Sequence, residues 1–368
     1  MHADPRQFDP AVPIARASTP PASWYTDPLF LGLERDRVFR RSWQPAGRLE
    51  QLAEVGDYAS GQLTGEPYVV LRDTSGDLRA FFNVCRHHAS CLVEGQGNAQ
   101  QLVCPYHGWT YDLDGGLRKA PHLGGVRDFD RRQFGLAPMD VACWGPLVFV
   151  RPTADGPTLD EFLEPLAGRI DFGELQFVKR VQYELDCNWK VFVDNYLDGG
   201  YHVGQLHGGL ASQLALDSYR TEVAGRISIQ SCAAGSAKRT GDGVDFAERL
   251  AGGAVYAFLY PNFMINRYGP MMDTNWVLPL SHDRTLTVFD YYFEKSVIAD
   301  RAFVERSLEA SDRVQQEDIA VSESVQRGLE SSAYDRGRYA PSLEQAAHRF
   351  HCLLAEDLRN PPSPASPR

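Results

Sequence analysis

Between about residues 47 and 150 the apolar positions come in short runs, broken every few residues by Gly and Asp. Residues 68–72 (Tyr-Val-Val-Leu-Arg), 78–82 and 147–150 are such runs, and Asp73-Thr-Ser-Gly76 and Asp112-Leu-Asp-Gly-Gly116 are the breaks. Short apolar runs with this punctuation predict strands joined by tight turns, hence an all-β domain. From about residue 153 the pattern is mixed. Over 302–329 the apolar residues Phe303, Val304, Leu308, Val314, Val321, Val325 and Leu329 recur at helical spacing and predict one long helix. Residues 24–43 and 189–207 also read as helical, whereas 254–260, 263–268, 276–280 and 285–293 read as strands of an antiparallel sheet. The Pro- and Ala-rich residues 1–22 are expected to lie along the surface, and the Pro/Ser tail 361–368 to be disordered. The expectation is an α+β chain in four parts. Residues 1–45 form an N-terminal segment packing on the C-terminal domain. An all-β domain follows at 46–152, then a domain with antiparallel sheet at 153–360, then the tail.

Composition narrows the classes. A chain of 368 residues with 43% hydrophobic and 23% charged residues is long enough for two cores of ordinary make-up. Its net charge of −11 gives no basic footprint for nucleic acid or an anionic membrane. No stretch approaches the roughly 20 apolar residues of a membrane span. The first residues lack the apolar core of a signal peptide, so a cytoplasmic protein is expected, or a stromal one if a leader has been removed. Cys91, Cys143, Cys187, Cys232 and Cys352 form an odd, scattered set and are expected to be buried reduced thiols.

Two other cysteines carry chemistry. Cys85-Arg-His87 is followed, sixteen residues on, by Cys104-Pro-Tyr-His107-Gly-Trp. A Rieske 2Fe–2S cluster needs this donor set, two thiolates on one iron and two imidazoles on the other. Structural zinc sites draw on the same residue types, but favour Cys-x2-Cys and His-x3-His pairs, and here each pair is mixed. His202 and His207 suggest a second metal. Five helical steps would leave them about 140° apart, so a distortion, placed at Gly204, has to bring both to one ion. Asp198 and Asn195 precede His202 by four and seven residues and fall on its face. The competing reading is a pair of hydrogen-bonded core or surface histidines. Two histidines and one carboxylate make a non-haem Fe(II) site that activates oxygen. Helical phase points to Asp318, at the middle of the apolar stripe, and turns Glu317 away by about 100°. A carboxylate on a buried face must be paired or bind metal.

Together the two motifs, with Cys85-Arg-His-His-Ala-Ser and Asn188-Trp-Lys-Val-Phe-Val-Asp-Asn-Tyr-Leu-Asp-Gly-Gly-Tyr-His-Val, resemble the oxygenase alpha subunits of Rieske non-haem iron ring-hydroxylating enzymes. The resemblance is strongest to members that act on choline. It implies a Rieske domain followed by a catalytic domain of helix-grip (START-like) type. It also implies a homotrimer in which the cluster of one subunit serves the iron of the next. Most relatives carry an acid three positions before the first iron-binding His. Here that position is Gly199, and the resemblance passes the bridging role to Asp198. Many relatives have Arg where this chain has His88.

The expected reaction is hydroxylation of a small quaternary ammonium, choline giving betaine aldehyde hydrate, with O2 and electrons from a separate NAD(P)H-dependent reductase or ferredoxin. No dinucleotide fingerprint or plant-type ferredoxin run occurs in the chain itself. Other substrates, namely glycine betaine, carnitine or an aromatic natural product, use the same machinery, and a bare electron carrier would lack His202, His207 and Asp318. A quaternary ammonium calls for aromatic rings. Tyr256, Phe258 and Tyr260 alternate on one strand, and Tyr201 and Trp276 are chosen as pocket residues.

Overall fold

The structure is a computed structural model and describes residues 3–153, 155–207, 214–234 and 253–360. The chain divides into two units. One runs from Arg35 to Phe162, and the other joins the residues up to Glu34 with those from Leu163 onward. The tail 361–368 lies outside the described residues.

The first unit is mainly β structure, with only short helical turns besides. Strands β1 (Gln44–Arg48), β2 (Asp57–Leu63), β3 (Glu66–Arg72), β4 (Leu78–Phe82), β5 (Gln96–Asn98), β9 (Pro138–Trp144) and β10 (Leu147–Arg151) form one sheet in the order β1-β10-β9-β4-β3-β2-β5. The small strands β6 (Leu102–Val103), β7 (Thr110–Tyr111) and β8 (Leu117–Lys119) make a second, three-stranded sheet. Every pairing is antiparallel. Val69, Leu71, Phe81, Leu102, Trp109 and Tyr111 bury a common core that includes Cys85 and Cys104. Cys143 differs from expectation: it is exposed on β9, and Cys91 is half-buried.

The second unit holds a seven-stranded antiparallel sheet in the order β11-β17-β16-β15-β14-β13-β12. Its strands are β11 (Leu175–Leu185), β12 (Arg220–Ala224), β13 (Ile227–Cys232), β14 (Ala254–Leu259), β15 (Phe263–Tyr268), β16 (Met271–Pro279) and β17 (Thr285–Glu294). The helices that matter for the site are α1 (Pro28–Arg37), α2 (Trp189–Tyr196), α3 (Val203–Leu206), α4 (Arg301–Leu329) and α5 (Gln345–Arg359). The residues expected as one helix over 24–43 break at Asp27-Pro28, because proline is tolerated only in a helix's first turn.

Helix α4 matches its expected span, but its buried face is not the apolar stripe. Phe303, Val304, Ser307, Ala310, Ser311, Gln315, Asp318, Ser322 and Gln326 are buried, while Val325 is 45% exposed. The helix meets the sheet largely through polar contacts. Tyr291 Oη donates to Ser311 Oγ at 3.1 Å, and Tyr183 Oη donates to Asp312 at 2.7 Å. The Gln326 side chain accepts from the backbone N–H of Asn188 at 3.0 Å. Asn188 in turn caps α2 by accepting from Lys190 N, and anchors it by donating to the carbonyls of Tyr25 and His282.

Candidate metal centres

Each Cys-x-x-His or Cys-x-His pair sits on a loop closed by its own backbone. Ala89 N donates to Cys85 O at 2.9 Å and Cys85 N to Ser90 O at 2.9 Å. In the second loop Gly108 N donates to Cys104 O at 3.0 Å and Cys104 N to Trp109 O at 2.8 Å. The residue four places after each cysteine is left-handed, Ala89 with φ 60° and Gly108 with φ 70°. These paired turns point two side chains from each loop to the same place. The His87 and His107 rings lie 4.8 Å apart, and His87 stacks on Trp109 at 4.8 Å and 8°. Cys85 and Cys104 are buried and all seven cysteines are free thiols. Burial alone would raise the Cys104 thiol. Hydrogen bonds from the Tyr106 and His107 backbone and from Cys85 outweigh it and hold the thiol below its ordinary value, which favours a thiolate. Tyr111 Oη lies 3.3 Å from Cys85 Sγ and accepts from Arg86 N at 2.9 Å. His87 Nδ1 is buried without a protein partner, while His88 is exposed. Two thiols, two imidazoles and an orphaned buried nitrogen fit a 2Fe–2S cluster, and the inward-facing ring is that of His87.

In the second unit no distortion forms at Gly204: His202 and His207 are the N- and C-caps of a single helical turn, and the helix expected over 189–207 is interrupted before both of them. Helix α2 stops at Tyr196, and Gly204 is helical within α3. The break is at Gly199 and Gly200, with φ 72° and 76°. A Cβ on Gly199 would meet Leu343 O at 2.2 Å, so no side chain of any kind, acidic or otherwise, fits there. The acid one residue earlier does the local work. Asp198 accepts from the backbone N–H groups of Gly200, Tyr201 and His202 and from His202 Nδ1 at 2.6 Å. It closes the turn and fixes the ring in one step.

His202, His207 and Asp318 converge: one ligand atom from each lies within 4.8 Å of the others. Asp318 Oδ1 is 3.0 Å from His207 Nε2 and 3.8 Å from His202 Nε2. The far nitrogen of each ring is held by a carboxylate, His202 Nδ1 by Asp198 and His207 Nδ1 by Glu317 Oε2 at 2.6 Å. This carboxylate–histidine arrangement fixes the tautomer and leaves both Nε2 atoms for a metal. Burial would lower the His207 pKa, but Asp318 and Glu317 outweigh it and raise the value. Asn195 Nδ2 donates to Asp318 Oδ1 at 2.8 Å and Gln315 Nε2 to Oδ2 at 3.3 Å. Two imidazoles and one carboxylate with open faces fit a mononuclear non-haem iron. Glu317 is the residue that sequence reasoning turned away; the 100° offset that removes it from Asp318's face carries it to the other side of the His207 ring.

A cavity of about 960 Å³, counting its mouth, opens on these ligands. It is walled by Tyr196, Tyr219, Tyr256, Tyr268, Phe192 and Phe289, with Asn195, Asn266, Asp273, Asn275 and Gln315 supplying polar atoms. Tyr256 lies at 5.7–6.4 Å from the Tyr196, Tyr219 and Tyr268 rings. Burial raises the pKa values of Tyr196 and Tyr219 and keeps both phenols neutral. The two residues chosen from sequence as pocket residues do not line this cavity. Tyr201 is 59% exposed. On β16 the cavity takes Asp273 and Asn275, so the alternation of the strand turns Trp276 to the other face. Of the alternating aromatics, Tyr256 reaches the cavity, while Phe258 and Tyr260 pack on Phe350 of α5.

Comparison with known proteins agrees with this geometry. Residues 172–359 match the ring hydroxylating alpha subunit catalytic domain, and residues 42–130 the Rieske [2Fe-2S] domain. The chain is 50% identical to the chloroplastic choline monooxygenase of Arabidopsis thaliana, over 96% of this chain and 86% of that protein. It is 30% identical to the carnitine monooxygenase oxygenase subunit of Escherichia coli K12, over 94% of this chain and 95% of that one. A crystal structure of the quaternary ammonium Rieske monooxygenase CntA with L-carnitine superposes with a TM-score of 0.80 at 28% identity, covering 97% of this chain and 99% of that one. The chain belongs to the Rieske ring-hydroxylating oxygenase family, as an oxygenase component carrying a 2Fe–2S cluster and a mononuclear iron.

Proposed function

We propose that this chain is a terminal oxygenase that hydroxylates the alcohol-bearing carbon of choline, or of a close cationic analogue, to betaine aldehyde hydrate. Cys85, His87, Cys104 and His107 hold the cluster, and His202, His207 and Asp318 hold the iron. When bound, the cluster supplies single electrons and the iron supplies the activation of O2. The electrons come from a separate NAD(P)H-dependent reductase or ferredoxin. The working assembly is a homotrimer in which the cluster of one subunit serves the iron of the next, with Asp198 as the bridging acid. Inter-subunit electron transfer is described for a quaternary ammonium Rieske monooxygenase of known structure. Among the described residues no helix is long and apolar enough to cross a membrane, in keeping with a cytoplasmic or stromal enzyme.

The observation that carries the substrate class is the ring of tyrosines beside the iron ligands. A quaternary ammonium has no N–H to donate, so its recognition rests on ring faces within about 6 Å of the charge. Tyr196, Tyr219, Tyr256 and Tyr268 offer those faces. The amides of Asn195 and Gln315 hold Asp318 on both oxygens and fix where it presents its lone pairs. Asp198 and Glu317 keep both imidazoles in the orientation that leaves Nε2 open.

The test is oxygen uptake with a surrogate reductase and mass analysis of products, run with choline, glycine betaine, carnitine and an aromatic acid. Choline should give the fastest uptake and a product at the mass of betaine aldehyde. Uptake with the aromatic acid alone would overturn the quaternary-ammonium reading; a demethylated amine from glycine betaine or carnitine as the main product would overturn the hydroxylation.

A further inference from the structure

One face of α4 carries a polar acceptor that the metal centres leave unused. Ser311, Gln315 and Asp318 follow one another at steps of four and three residues, share that face and line the cavity. Gln315 is only 6% exposed. Its Nε2 donates to Asp318 Oδ2 at 3.3 Å, and this contact sets the sense of the amide, since the opposite sense would put oxygen against oxygen. Its Oε1 is buried and has no hydrogen-bond partner among the described residues. Three other acceptors in the cavity wall already accept. Asn266 Oδ1 takes the Tyr196 hydroxyl at 2.8 Å, Asn275 Oδ1 takes Asn266 Nδ2 at 3.1 Å, and Ser311 Oγ takes the Tyr291 hydroxyl at 3.1 Å.

A buried acceptor without a donor is costly, and a ligand that brings an O–H relieves the cost. We infer that Gln315 is a specificity-determining residue whose Oε1 accepts the hydroxyl hydrogen of the substrate alcohol. The inference rests on the choline reading above and deepens it: the tyrosine rings take the trimethylammonium, and Gln315 takes the other end of the molecule. A quaternary ammonium has no N–H, so the alcohol is the one conventional donor that choline brings. The oxygen and the nitrogen of the Gln315 amide sit on one carbon, and the nitrogen is bonded to Asp318. A hydroxyl held by Oε1 therefore lies beside an iron ligand. The alcohol-bearing carbon, the one to be hydroxylated, then lies next to the place where His202, His207 and Asp318 converge. Glycine betaine offers an ionised carboxylate in place of the hydroxyl. It only accepts, and would set oxygen against oxygen at Gln315. A site built to take an O–H rejects an analogue that lacks it more sharply than ring faces alone can.

Calorimetric titration of the holoenzyme with choline and with propyltrimethylammonium tests this. In the second cation a methyl group replaces the hydroxyl, so charge and size are kept and only the O–H is lost. Wild type should bind choline about tenfold or more tightly than the isostere. In Gln315→Met, which keeps the length of the side chain and removes the acceptor, that preference should fall to near one. A purely structural role for Gln315, holding Asp318 and nothing else, would weaken both cations alike and leave their ratio standing, and that result overturns the inference. Equal affinity of wild type for the two cations overturns it as well. If the variant does not fold, a crystal structure of the wild-type holoenzyme with choline decides. The choline oxygen should lie within about 3 Å of Gln315 Oε1, and an oxygen held by Asn195 or any other group instead overturns the inference. A wild type that binds neither cation overturns the quaternary-ammonium reading itself, and the role of Gln315 with it.

Discussion

At the scale of single residues, two positions set the properties of the centres without being ligands. Tyr111 offers its hydroxyl to Cys85 Sγ at 3.3 Å from within the buried core. A hydrogen bond to a cluster sulfur favours the reduced, more negative state and raises the potential. If it is worth about 1 kcal/mol, that is roughly 40 mV for a one-electron couple. Tyr111→Phe should lower the cluster's midpoint potential by about that much in a spectroscopic redox titration, with the amount of assembled cluster little altered. Gly199 is the second position. Its φ of 72° and the approach of Leu343 O leave no room for a Cβ. Gly199→Ala should displace the turn that Asp198 closes, cost upward of about 2 kcal/mol, and release the mononuclear iron more readily than the cluster. Iron analysis and thermal melting of the variant read both effects. Sequence reasoning saw a glycine where relatives have an acid. The cause is conformational: the turn that aims His202 needs the left-handed conformation at this residue.

At the scale of elements, the sequence was most readable where one periodicity ran unbroken. The long helix was expected over 302–329 and is found at Arg301–Leu329. Strands β14, β15 and β17 fall within a residue of their expected spans, whereas β16 starts at Met271, five residues before its expected start. Three elements of the same sheet were not expected. β11 alternates polar and half-buried residues, and most of its residues keep some exposure. β12 is likewise largely exposed, and β13 buries Ser228 and Gln230 where an apolar pattern would be sought. The face of α4 was misjudged for a related reason. It packs through serines, glutamines and Asp318, whose burial is satisfied by hydrogen bonds rather than declared by hydrophobicity. Candidate metal ligands could be picked out in the sequence because such chemistry restricts residue type and spacing, and His202, His207 and Asp318 do come together. The cavity wall was not, because tyrosines from α2, β14, β15 and the segment before β12 converge only in the folded sheet. Helix α2 also depends on a buried ion pair. Lys190 Nζ lies 2.6 Å from Glu34 Oε1, and Trp189 Nε1 donates to Glu34 Oε2 at 2.7 Å, with both charged side chains wholly buried. Burial pulls the Lys190 pKa down although Glu34 opposes it. Lys190→Met should cost about 3–5 kcal/mol by stranding the Glu34 charge. Adding Glu34→Gln, which keeps an acceptor for Trp189, should restore at least half of that loss in chemical denaturation. Single and double variants of equal stability would refute the stranded-charge account.

At the scale of the whole molecule, the account requires two metal centres on one chain, each on its own set of residues. One set lies on the paired loops of the β unit, the other at the two ends of α3 and on α4. Their ligands share no residue, so each centre should be separable by substitution. The most direct measurement is iron per chain, by metal analysis together with the cluster's absorption and EPR spectra, for wild type, Asp318→Ala and Cys104→Ser. Wild type should hold about three irons, two of them in the cluster. Asp318→Ala should hold about two with the cluster spectrum intact, and Cys104→Ser about one with the spectrum lost. Retention of the third iron in Asp318→Ala, or of the cluster spectrum in Cys104→Ser, would contradict the assignment of the two centres to these residues.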